Sequence, residues 1–343
     1  MSSTLPKTMR AVVCTATGPV SVMKIQNIPL PTPQPSQVLI RILGFGINRA
    51  EMFTRQGHSP GVEFPRIIGI ECIGVIAGYP ASTAAAPKPA RRYSIGTHVA
   101  TCMGGLGRQI PGSYAEYTCV SEANVRPIPA SSLSVGTLAA LPEMLQTTWG
   151  SLVSSLDLKP GESLLVRGAT SSIGLCALQL ARKIGATRIG ATTRNANREK
   201  MLRDNGADEV FIDGGEIASD VAQSVKGGFD KVLELVGTTT LLDSMKCAAP
   251  RGTVCMTGIQ GGSWEFEKFT PMVDIPDLVR LCKYSGGPTN FMSLPWEELI
   301  QDIENGRVKI PTREFKLEDI HTVHEILESA GGGAKMVVVV TDE

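Results

Sequence analysis

The 343-residue sequence predicts an α/β protein with a β-rich domain and a central, doubly wound parallel-sheet domain. Three observations lead to this prediction. The chain is too long for one ordinary hydrophobic core, so about two domains are expected. Its first third consists of short β-rich runs separated by glycine and proline, and from Pro160 onward strand-like and helix-like segments alternate. Such alternation is typical of a parallel sheet covered by helices on both faces.

The first third contains five runs rich in apolar and β-branched residues, which we expect to form strands. They are 11–18, 20–30, 37–48, 68–79 and 113–120. Among them, the proline- and alanine-rich segment 80–94 is longer than most connections and predicts a surface loop.

The middle of the chain repeats a strand–helix pattern. Strands are predicted over 162–168, 186–193, 208–213, 230–237 and 252–258, and helices over 171–185, 198–206 and 238–250. The first of these helices has apolar residues at helical spacing between Ile173 and Ile184. Two more helices are predicted in 296–306 and 317–331, and the closing apolar run 335–340 is expected to return to the first domain as a strand.

Composition argues against several classes of protein. Lys+Arg and Asp+Glu both number 33, so the basic excess expected of a nucleic-acid-binding protein is missing. The sequence has no run of about 18 apolar residues and no apolar secretion signal near its start, so we expect no membrane association. The eight cysteines lack C-x-x-C spacing, which favours buried thiols and a cytoplasmic location.

The segment GATSSIG (168–174) lies between a predicted strand and a predicted helix, where a dinucleotide-binding turn occurs. Backbone N–H groups and the helix dipole favour a pyrophosphate there. Serines stand where the fingerprint usually has glycines; serine can cap the helix and donate to phosphate but holds the backbone further from it. A capped turn without a ligand is the alternative. The predicted binding residues of this turn are Ala169, Thr170, Ser171, Ser172 and Ile173.

The end of the next predicted strand bears on the choice of cofactor. An NAD enzyme usually has an acidic residue there for the ribose 2′-hydroxyl. This chain has Thr193 and Arg194, and Lys200 follows near the start of the next helix. Because a guanidinium and an ammonium attract a 2′-phosphate, the sequence predicts NADPH rather than NADH. The alternative is that both cations are solvated surface charges.

Seven segments occur in the order and at the spacing of one known family. They are GFGINRAEMFTRQG (44–57), FPRIIGIECIGVI (64–76), GSYAEY (112–117), LPEMLQTTWGSL (141–152), the nucleotide-turn region 158–186, LELVG (233–237) and PRGTVCMTGIQGG (250–262). Together they resemble the zinc-free quinone oxidoreductase branch of the medium-chain dehydrogenases and reductases. The resemblance covers nearly the whole chain; the two serines of the turn and the long 80–94 loop depart from it.

This resemblance implies a GroES-like catalytic domain over 1–126 and 290–343, and a Rossmann NADPH-binding domain over 127–289. It also implies further cofactor-lining positions, namely Asn48, Thr147, Thr193, Arg194, Lys200, Val236, Gly237, Gly258 and Ile259. A homodimer is a further expectation, with the apolar strand 252–258 at a sheet edge where two chains would pair.

No metal is predicted. The zinc-binding alcohol-dehydrogenase branch of the superfamily has a cysteine where this chain has Asn48, and a Gly-His-Glu motif where it has Gly69-Ile70-Glu71. Neither asparagine nor isoleucine is a suitable zinc ligand. His321 and His324 lie three residues apart on a predicted helix with acidic neighbours, and we expect them to be surface residues rather than ligands.

Without a Lewis acid, hydride would go to an acceptor that spreads the resulting negative charge, such as a quinone or an α,β-unsaturated carbonyl. Asn48 is the first predicted catalytic residue, either donating to the acceptor or holding the ribose; a simple turn residue is the alternative. His58, in RQGHSPG, is the second, because an imidazole can protonate the product near neutral pH. A solvent-exposed loop histidine is the alternative.

Two other functions remain open at this point. One is an enoyl-thioester reductase of a biosynthetic pathway, for which Lys88, Arg91 and Arg92 could bind the phosphates of coenzyme A or of an acyl carrier. The other is a protein that binds NADPH without turnover.

Overall fold

The computed structural model describes residues 5–80, 91–329 and 333–341, so Lys88 lies outside the described residues. The strands are β1 Thr8–Cys14, β2 Met23–Pro29, β3 Gln37–Gly46, β4 Arg66–Ile67, β5 Glu71–Gly78, β6 His98–Cys102, β7 Tyr117–Ser121, β8 Arg126–Pro127, β9 Ser163–Arg167, β10 Arg188–Thr193, β11 Glu209–Ile212, β12 Phe229–Glu234, β13 Ala248–Met256, β14 Arg280–Lys283, β15 Thr312–Phe315 and β16 Lys335–Val339. The helices are α1 Arg49–Gln56, α2 Val135–Ala139, α3 Leu141–Trp149, α4 Ser172–Ile184, α5 Glu199–Asp204, α6 Ala218–Ser224, α7 Thr238–Lys246, α8 Pro271–Asp274, α9 Pro288–Met292, α10 Trp296–Glu304 and α11 Ile320–Glu328.

The described residues form two compact units. The first takes the residues up to Glu143 together with those from Gly287 onward, and the second is Met144–Gly286. The first unit is therefore built from both ends of the chain, and the second from its middle.

The second unit has a parallel sheet with strand order β11-β10-β9-β12-β13-β14. This is the doubly wound strand order. The first three strands are added toward one edge of the sheet and the next three toward the other, so the order reverses between β9 and β12. The predicted α/β class is confirmed.

The strand at the sheet edge differs from the prediction. The strand expected at the edge, 252–258, lies largely in β13, which is paired on both sides, so that expectation is wrong. The edge is β14, whose Arg280–Lys283 run in register with Thr253–Met256. This strand has only four residues, two of them charged, so its sequence has little of the apolar pattern that reveals a strand.

The first unit holds a three-stranded sheet, β2-β1-β4, and a larger sheet in which β15-β16-β3-β5-β6-β8 are neighbours and β7 pairs with β3. The closing strand β16 lies against β3, with Val338 opposite Phe45, which confirms that the apolar tail returns to the first part of the chain. One core cluster contains Met9, Phe45, Tyr114 and Val338, so both chain ends share one core.

The helix α1 follows β3 directly and was not predicted as a helix. Asn48 precedes it, and the Glu51 carboxylate accepts a hydrogen bond from the Asn48 backbone N–H at 2.9 Å. Gly57 ends the helix in the left-handed region, at φ 94°, which glycine adopts without strain. Since the helix has only eight residues and many are polar, its caps define it better than its apolar pattern does.

His324 is buried with 0% exposure, so the expectation that it lies on the surface is wrong. It shares a face of α11 with Ile320, Val323 and Leu327, at the spacing of a buried helical stripe. Its Nε2 lies 3.1 Å from the Tyr114 hydroxyl, and burial lowers its pKa to about 3, so the ring is neutral. His321 is half-buried, with its Nε2 at 2.7 Å from the Met23 carbonyl oxygen.

All eight cysteines are free thiols, and six of them are buried, as the sequence predicted; Cys119 and Cys282 are only half-buried. Within residues 5–80, 91–329 and 333–341, no helix is both long enough and apolar enough to cross a bilayer.

Candidate functional site

The turn after β9 holds the start of α4 in place through its serine and glycines. Gly168 has φ 80°, and its backbone N–H donates to the Thr192 hydroxyl at 3.0 Å. The Ser171 hydroxyl accepts from the Gly174 N–H at 3.1 Å, so this side chain caps the helix. Because the first amides of a helix have no intrahelical acceptor, the backbone of Ser172 and Ile173 stands where an anion is favoured.

Gly174 brings α4 close to the end of β9. A Cβ atom at this position would lie 2.5 Å from the Ala169 carbonyl oxygen, closer than any real contact allows. Although serines replace the inner glycines of the turn, the glycine that a dinucleotide fingerprint uses for close helix–strand packing is therefore present.

A pocket of about 500 Å³ opens beside this turn at the carboxyl ends of the strands. We call it the strand-end pocket; its lining residues are Gly168, Thr170, Thr192, Thr193, Arg194, Asp213, Gly214, Gly215, Val236, Thr239, Thr240, Gln260 and Gly261. In doubly wound sheets, ligands bind at this edge. Its volume and its position suit the adenosine part of a dinucleotide.

Four of the predicted cofactor residues line this pocket: Thr170, Thr193, Arg194 and Val236. The Arg194 side chain is exposed at the end of β10. In contrast, Lys200 is not among the lining residues; its ammonium lies 2.7 Å from Asp204 one helical turn away, and its side chain is 85% exposed.

Val236, Gly237, Gly258 and Ile259 come together where β12 and β13 end. A Cβ atom on Gly258 would lie 2.3 Å from the Leu235 carbonyl oxygen, and one on Gly237 would lie 3.1 Å from the Gly258 carbonyl oxygen. The buried Glu234 carboxylate fixes the backbone after β12, because it accepts hydrogen bonds from the N–H groups of Val236 and Gly237 at 2.6 and 2.9 Å. We call the place where these four residues meet the β12–β13 corner.

Thr147 is connected to the β12–β13 corner through the hydroxyl of Ser151. Its carbonyl oxygen accepts from the Ser151 hydroxyl at 2.7 Å, and that hydroxyl lies 2.9 Å from the hydroxyl of Thr257, which precedes Gly258. The second unit thus brings together the predicted positions on α3, on the turn and at the ends of β12 and β13. Asn48 and His58 belong to the first unit.

A buried arginine beneath the strand-end pocket was missed by the sequence reasoning. Arg167, the last residue of β9, has 0% side-chain exposure. Its Nε and one terminal nitrogen each donate to the Asp213 carboxylate at 2.9 Å, and its other terminal nitrogen lies 2.6 Å from Asp243. We call these three residues the Arg167 cluster. The signal available in the sequence was a single charge inside the apolar run SLLVRG.

The Arg167 cluster sets the charge state of Asp213. Burial alone would raise the pKa of this carboxyl, but the hydrogen bonds and the charge of Arg167 outweigh burial and hold the pKa below its ordinary value. Asp213 is therefore ionised and paired.

In the first unit, Asn48 lies in a buried group of charges that we call the Lys335 cluster: Asn48, Glu51, Glu71, Glu143 and Lys335. Asn48 Nδ2 donates to Glu71 at 2.9 Å and to Glu51 at 3.3 Å, and Asn48 Oδ1 accepts from the Lys335 ammonium. Lys335 also pairs with Glu71 at 3.0 Å and with Glu143 at 3.4 Å. Both amide hydrogens of Asn48 are thus used within the protein.

Glu51 is a second site residue that the sequence reasoning missed. It is 1% exposed, and burial together with the charge of Glu71 raises its pKa to about 7. Burial also raises the pKa of Glu71, against the opposing effect of Lys335. Burial would lower the pKa of Lys335, but Glu71 and Glu143 raise it above its ordinary value, so the ammonium stays charged.

The donor set at this place does not suit zinc. By the resemblance described above, Asn48 and Ile70 would stand where the zinc-binding branch has a cysteine and a histidine. The Lys335 ammonium already contacts the oxygens of Asn48 and Glu71. A divalent cation beside those oxygens would compete with the ammonium for the same ligands and would have no soft or imidazole ligand. In the part of the chain that the structure describes, no three His, Cys, Asp or Glu side chains form a metal-binding group.

His58 follows the end of α1 and is exposed. Its backbone N–H donates to the Phe53 carbonyl oxygen at 2.8 Å, and its ring lies edge-on to Phe53 with centroids 6.1 Å apart. The ring therefore packs against the end of the helix while remaining exposed to solvent.

Comparison with known proteins agrees with this architecture. Residues 34–130 match the family "Alcohol dehydrogenase GroES-like domain", and residues 172–294 match "Zinc-binding dehydrogenase". The quinone oxidoreductase of Rattus norvegicus is 28% identical over 340 residues, covering 97% of this chain and 98% of the relative. The acryloyl-coenzyme A reductase of Sulfurisphaera tokodaii is 26% identical over 264 residues, covering 73% and 77%. A crystal structure of an NAD-dependent alcohol dehydrogenase superposes with a TM-score of 0.83 at 25% identity, covering 97% and 100%.

These similarities, together with the two-unit fold, identify an oxidoreductase of a class that binds a nicotinamide cofactor. The chain belongs to the medium-chain dehydrogenase/reductase superfamily, in its quinone oxidoreductase-like branch.

Proposed function

We propose that this chain uses NADPH to transfer hydride, without zinc, to a quinone or to an α,β-unsaturated carbonyl. One observation carries the choice of NADPH: Arg194 lines the strand-end pocket at the end of β10, and within the described ranges it has no acidic partner. In an NAD enzyme an acidic residue usually takes this position. A guanidinium there is suited to bind a 2′-phosphate through two hydrogen bonds.

We assign NADPH binding to the segment 127–289 and the acceptor chemistry to 1–126 with 290–343. Thr193 and Arg194 would hold the 2′-phosphate, and the start of α4, at Ser172 and Ile173, would hold the pyrophosphate. Val236, Gly237, Gly258, Ile259 and Thr147 would line the nicotinamide end. When bound, the nicotinamide supplies the hydride.

The nature of the acceptor follows from the Lys335 cluster. Because the described residues of this cluster offer no suitable set of zinc ligands, we propose that no Lewis acid polarises the acceptor carbonyl. The acceptor must therefore delocalise the negative charge itself, as a quinone or a conjugated enone does. The name of the rat relative is consistent with this class of substrate.

Asn48 and His58 keep their proposed places in the reaction, with different roles. Since both amide hydrogens of Asn48 are bonded to Glu51 and Glu71, we propose that its oxygen accepts a hydrogen bond from a ribose hydroxyl, rather than its nitrogen donating to the acceptor. His58 is exposed and can exchange protons with water, so it is the proposed proton donor to the reduced product.

The test is a titration with NADPH and NADH in parallel, followed by an acceptor screen. NADPH is expected to bind more tightly, and Arg194→Ser to weaken it by about tenfold or more while NADH binding changes little, in line with the loss of a charged hydrogen bond. Lys200→Ser is the matched control, since its ammonium is paired with Asp204. Equal or tighter NADH binding by the wild type would overturn the proposal, and tight NADPH binding without turnover of any acceptor would indicate a non-catalytic binding protein.

A second candidate substrate is an enoyl thioester, which the acryloyl-coenzyme A reductase relative favours. Arg91 and Arg92 are exposed, and their guanidiniums lie 5.0 and 5.4 Å from the rings of Tyr79 and Tyr93, which leaves them accessible to phosphates. NADPH consumption with crotonyl-coenzyme A and with 1,4-benzoquinone separates the two candidates. The enoyl thioester would be favoured if its KM is lower than that of the quinone and rises in an Arg91→Ser/Arg92→Ser variant.

A further inference from the structure

The strand-end pocket contains a carboxylate next to its proposed phosphate-binding arginine. The backbone N–H of Asp213 donates to the Thr193 carbonyl oxygen at 2.8 Å, so Asp213 lies beside the residue that precedes Arg194. Both Asp213 and Arg194 line the pocket. An unpaired carboxylate here would repel a 2′-phosphate, and carboxylates near this edge are what NAD enzymes use to bind the free ribose hydroxyl.

The Arg167 guanidinium donates two hydrogen bonds to the Asp213 carboxylate, one to each oxygen, and both are 2.9 Å long. Arg167 has no exposure to water, and the Asp213 side chain has only 7%, so solvent screens this pair little. The Arg167 charge, which is shared with Asp243, therefore offsets the Asp213 charge as seen from the pocket. Arg194 is then the one cation among the residues that line the pocket.

The other two acidic groups near Arg167, Asp243 and Glu234, have further partners. Asp243, besides Arg167, accepts from the backbone N–H groups of Ile217 and Ala218 at 2.8 and 3.3 Å, at the start of α6. The Glu234 carboxylate accepts from the hydroxyls of Ser244 and Thr240 at 2.5 and 3.0 Å. Asp213 also accepts from the Gly215 backbone N–H at 3.0 Å, but in the described residues Arg167 is its one charged partner. Of these three carboxylates, Asp213 is the one that lines the pocket.

We propose that Arg167 is a specificity-determining residue that acts through Asp213: by neutralising that carboxylate, it makes the strand-end pocket accept a 2′-phosphate. The inference rests on the proposed NADPH function and adds to it a residue that need not touch the cofactor. Removing the guanidinium would expose the Asp213 charge to the phosphate and shift the pocket toward the unphosphorylated ribose.

The test measures binding directly, by calorimetry with 2′,5′-ADP and 5′-AMP, which differ only in the 2′-phosphate. For Arg167→Met we expect binding of 2′,5′-ADP to weaken by about tenfold or more, because a like charge is uncovered at short range, and that of 5′-AMP to change less than about twofold. Arg167→Lys should retain most of the preference, and Arg167→Met/Asp213→Asn should restore it, because the repelling charge is gone. Arg182→Met, which breaks an exposed pair with Asp208, is the matched control.

Asp213→Asn alone covers the case in which Arg167→Met does not fold, as judged by circular dichroism. With Arg167 left in place, it should tighten 2′,5′-ADP by about threefold and leave 5′-AMP unchanged. An unchanged ratio of the two affinities in this variant, or an equal loss of both ligands in Arg167→Met, overturns the role of Arg167. A wild type that does not prefer 2′,5′-ADP instead overturns the proposed NADPH preference, so the two failures are distinguishable.

Discussion

The ammonium of Lys335 lies 3.0 Å from the carboxylate of Glu71, and the two side chains are 3% and 0% exposed. The same ammonium contacts Asn48 Oδ1, and Glu71 accepts from Asn48 Nδ2, so the pair orients the amide from both sides. A buried lysine thus provides a fixed positive charge against the side-chain oxygen of Asn48.

Breaking this pair is expected to be costly. Lys335→Met should lower the free energy of unfolding by about 3–5 kcal/mol, because it leaves the Glu71 carboxylate buried without its cation. Chemical denaturation measures this. A Lys335→Met/Glu71→Gln double variant should recover much of the loss, while Lys200→Met, at an exposed pair, should change stability by less than about 1 kcal/mol. A double variant no more stable than Lys335→Met would contradict this account of the cluster.

Glu51 should make stability depend on pH in a predictable direction. Its pKa is raised from 4.5 to about 7 in the folded state by burial and by Glu71, with Lys335 opposing the shift. Between these values the folded protein holds a proton that the unfolded chain releases. The stabilisation is therefore complete below pH 4.5 and is lost as the pH rises through about 7.

Unfolding of wild type and of Glu51→Gln at several pH values tests this expectation. Between about pH 5 and pH 8, the free energy of unfolding of the wild type should fall by on the order of 2–3 kcal/mol relative to that of the variant, which has no proton to release at this position. Glu199→Gln, at a half-exposed ion pair, is the control and should follow the wild-type curve. Parallel curves for wild type and Glu51→Gln would mean that Glu51 ionises normally.

Gly174→Ala should weaken both the fold and nucleotide binding. The added methyl would meet the Ala169 carbonyl oxygen at 2.5 Å, so the start of α4 must move away from the turn. We expect a loss of about 1–3 kcal/mol in stability and a clear rise in the Kd for 5′-AMP. Gly78→Ala is the control, because its nearest contacts would be ordinary ones at 3.7 Å. Unaltered nucleotide binding by a folded Gly174→Ala protein would remove the turn from the proposed site.

A homodimer remains a prediction, now placed at β14 rather than β13. This edge strand and the segment before it carry apolar side chains that face water in the single chain: Met272 is 94%, Val273 77% and Leu278 65% exposed. Light scattering should give the mass of two chains, and Leu281→Lys, on the edge strand itself, should shift the mass toward one chain. A wild-type monomer at micromolar concentration would rule out the pairing.

Local pattern was enough to predict most of the second unit. Apart from helix α6, which was not predicted, the strands and helices from Ser163 to Met256 follow the alternation of apolar runs and helical spacing. Each such element is stabilised by residues close to one another in sequence. The turn at Gly168–Gly174 could be placed for the same reason. The short strand β14 and the capped helix α1 could not, since each has few residues and a mostly polar pattern.

The sequence by itself determined the class of fold, the position of the nucleotide turn and the presence of Arg194 at a strand end, because these depend on periodicity and on neighbouring residues. Only the tertiary structure decided which charges are paired: Lys335 meets Asn48 across 287 positions, and Arg167 meets Asp213 across 46. Nothing in a local pattern specifies such partners. Their consequences, a neutralised pocket carboxylate and a fully bonded Asn48 amide, arise because burial removes the water that would otherwise screen each charge alone.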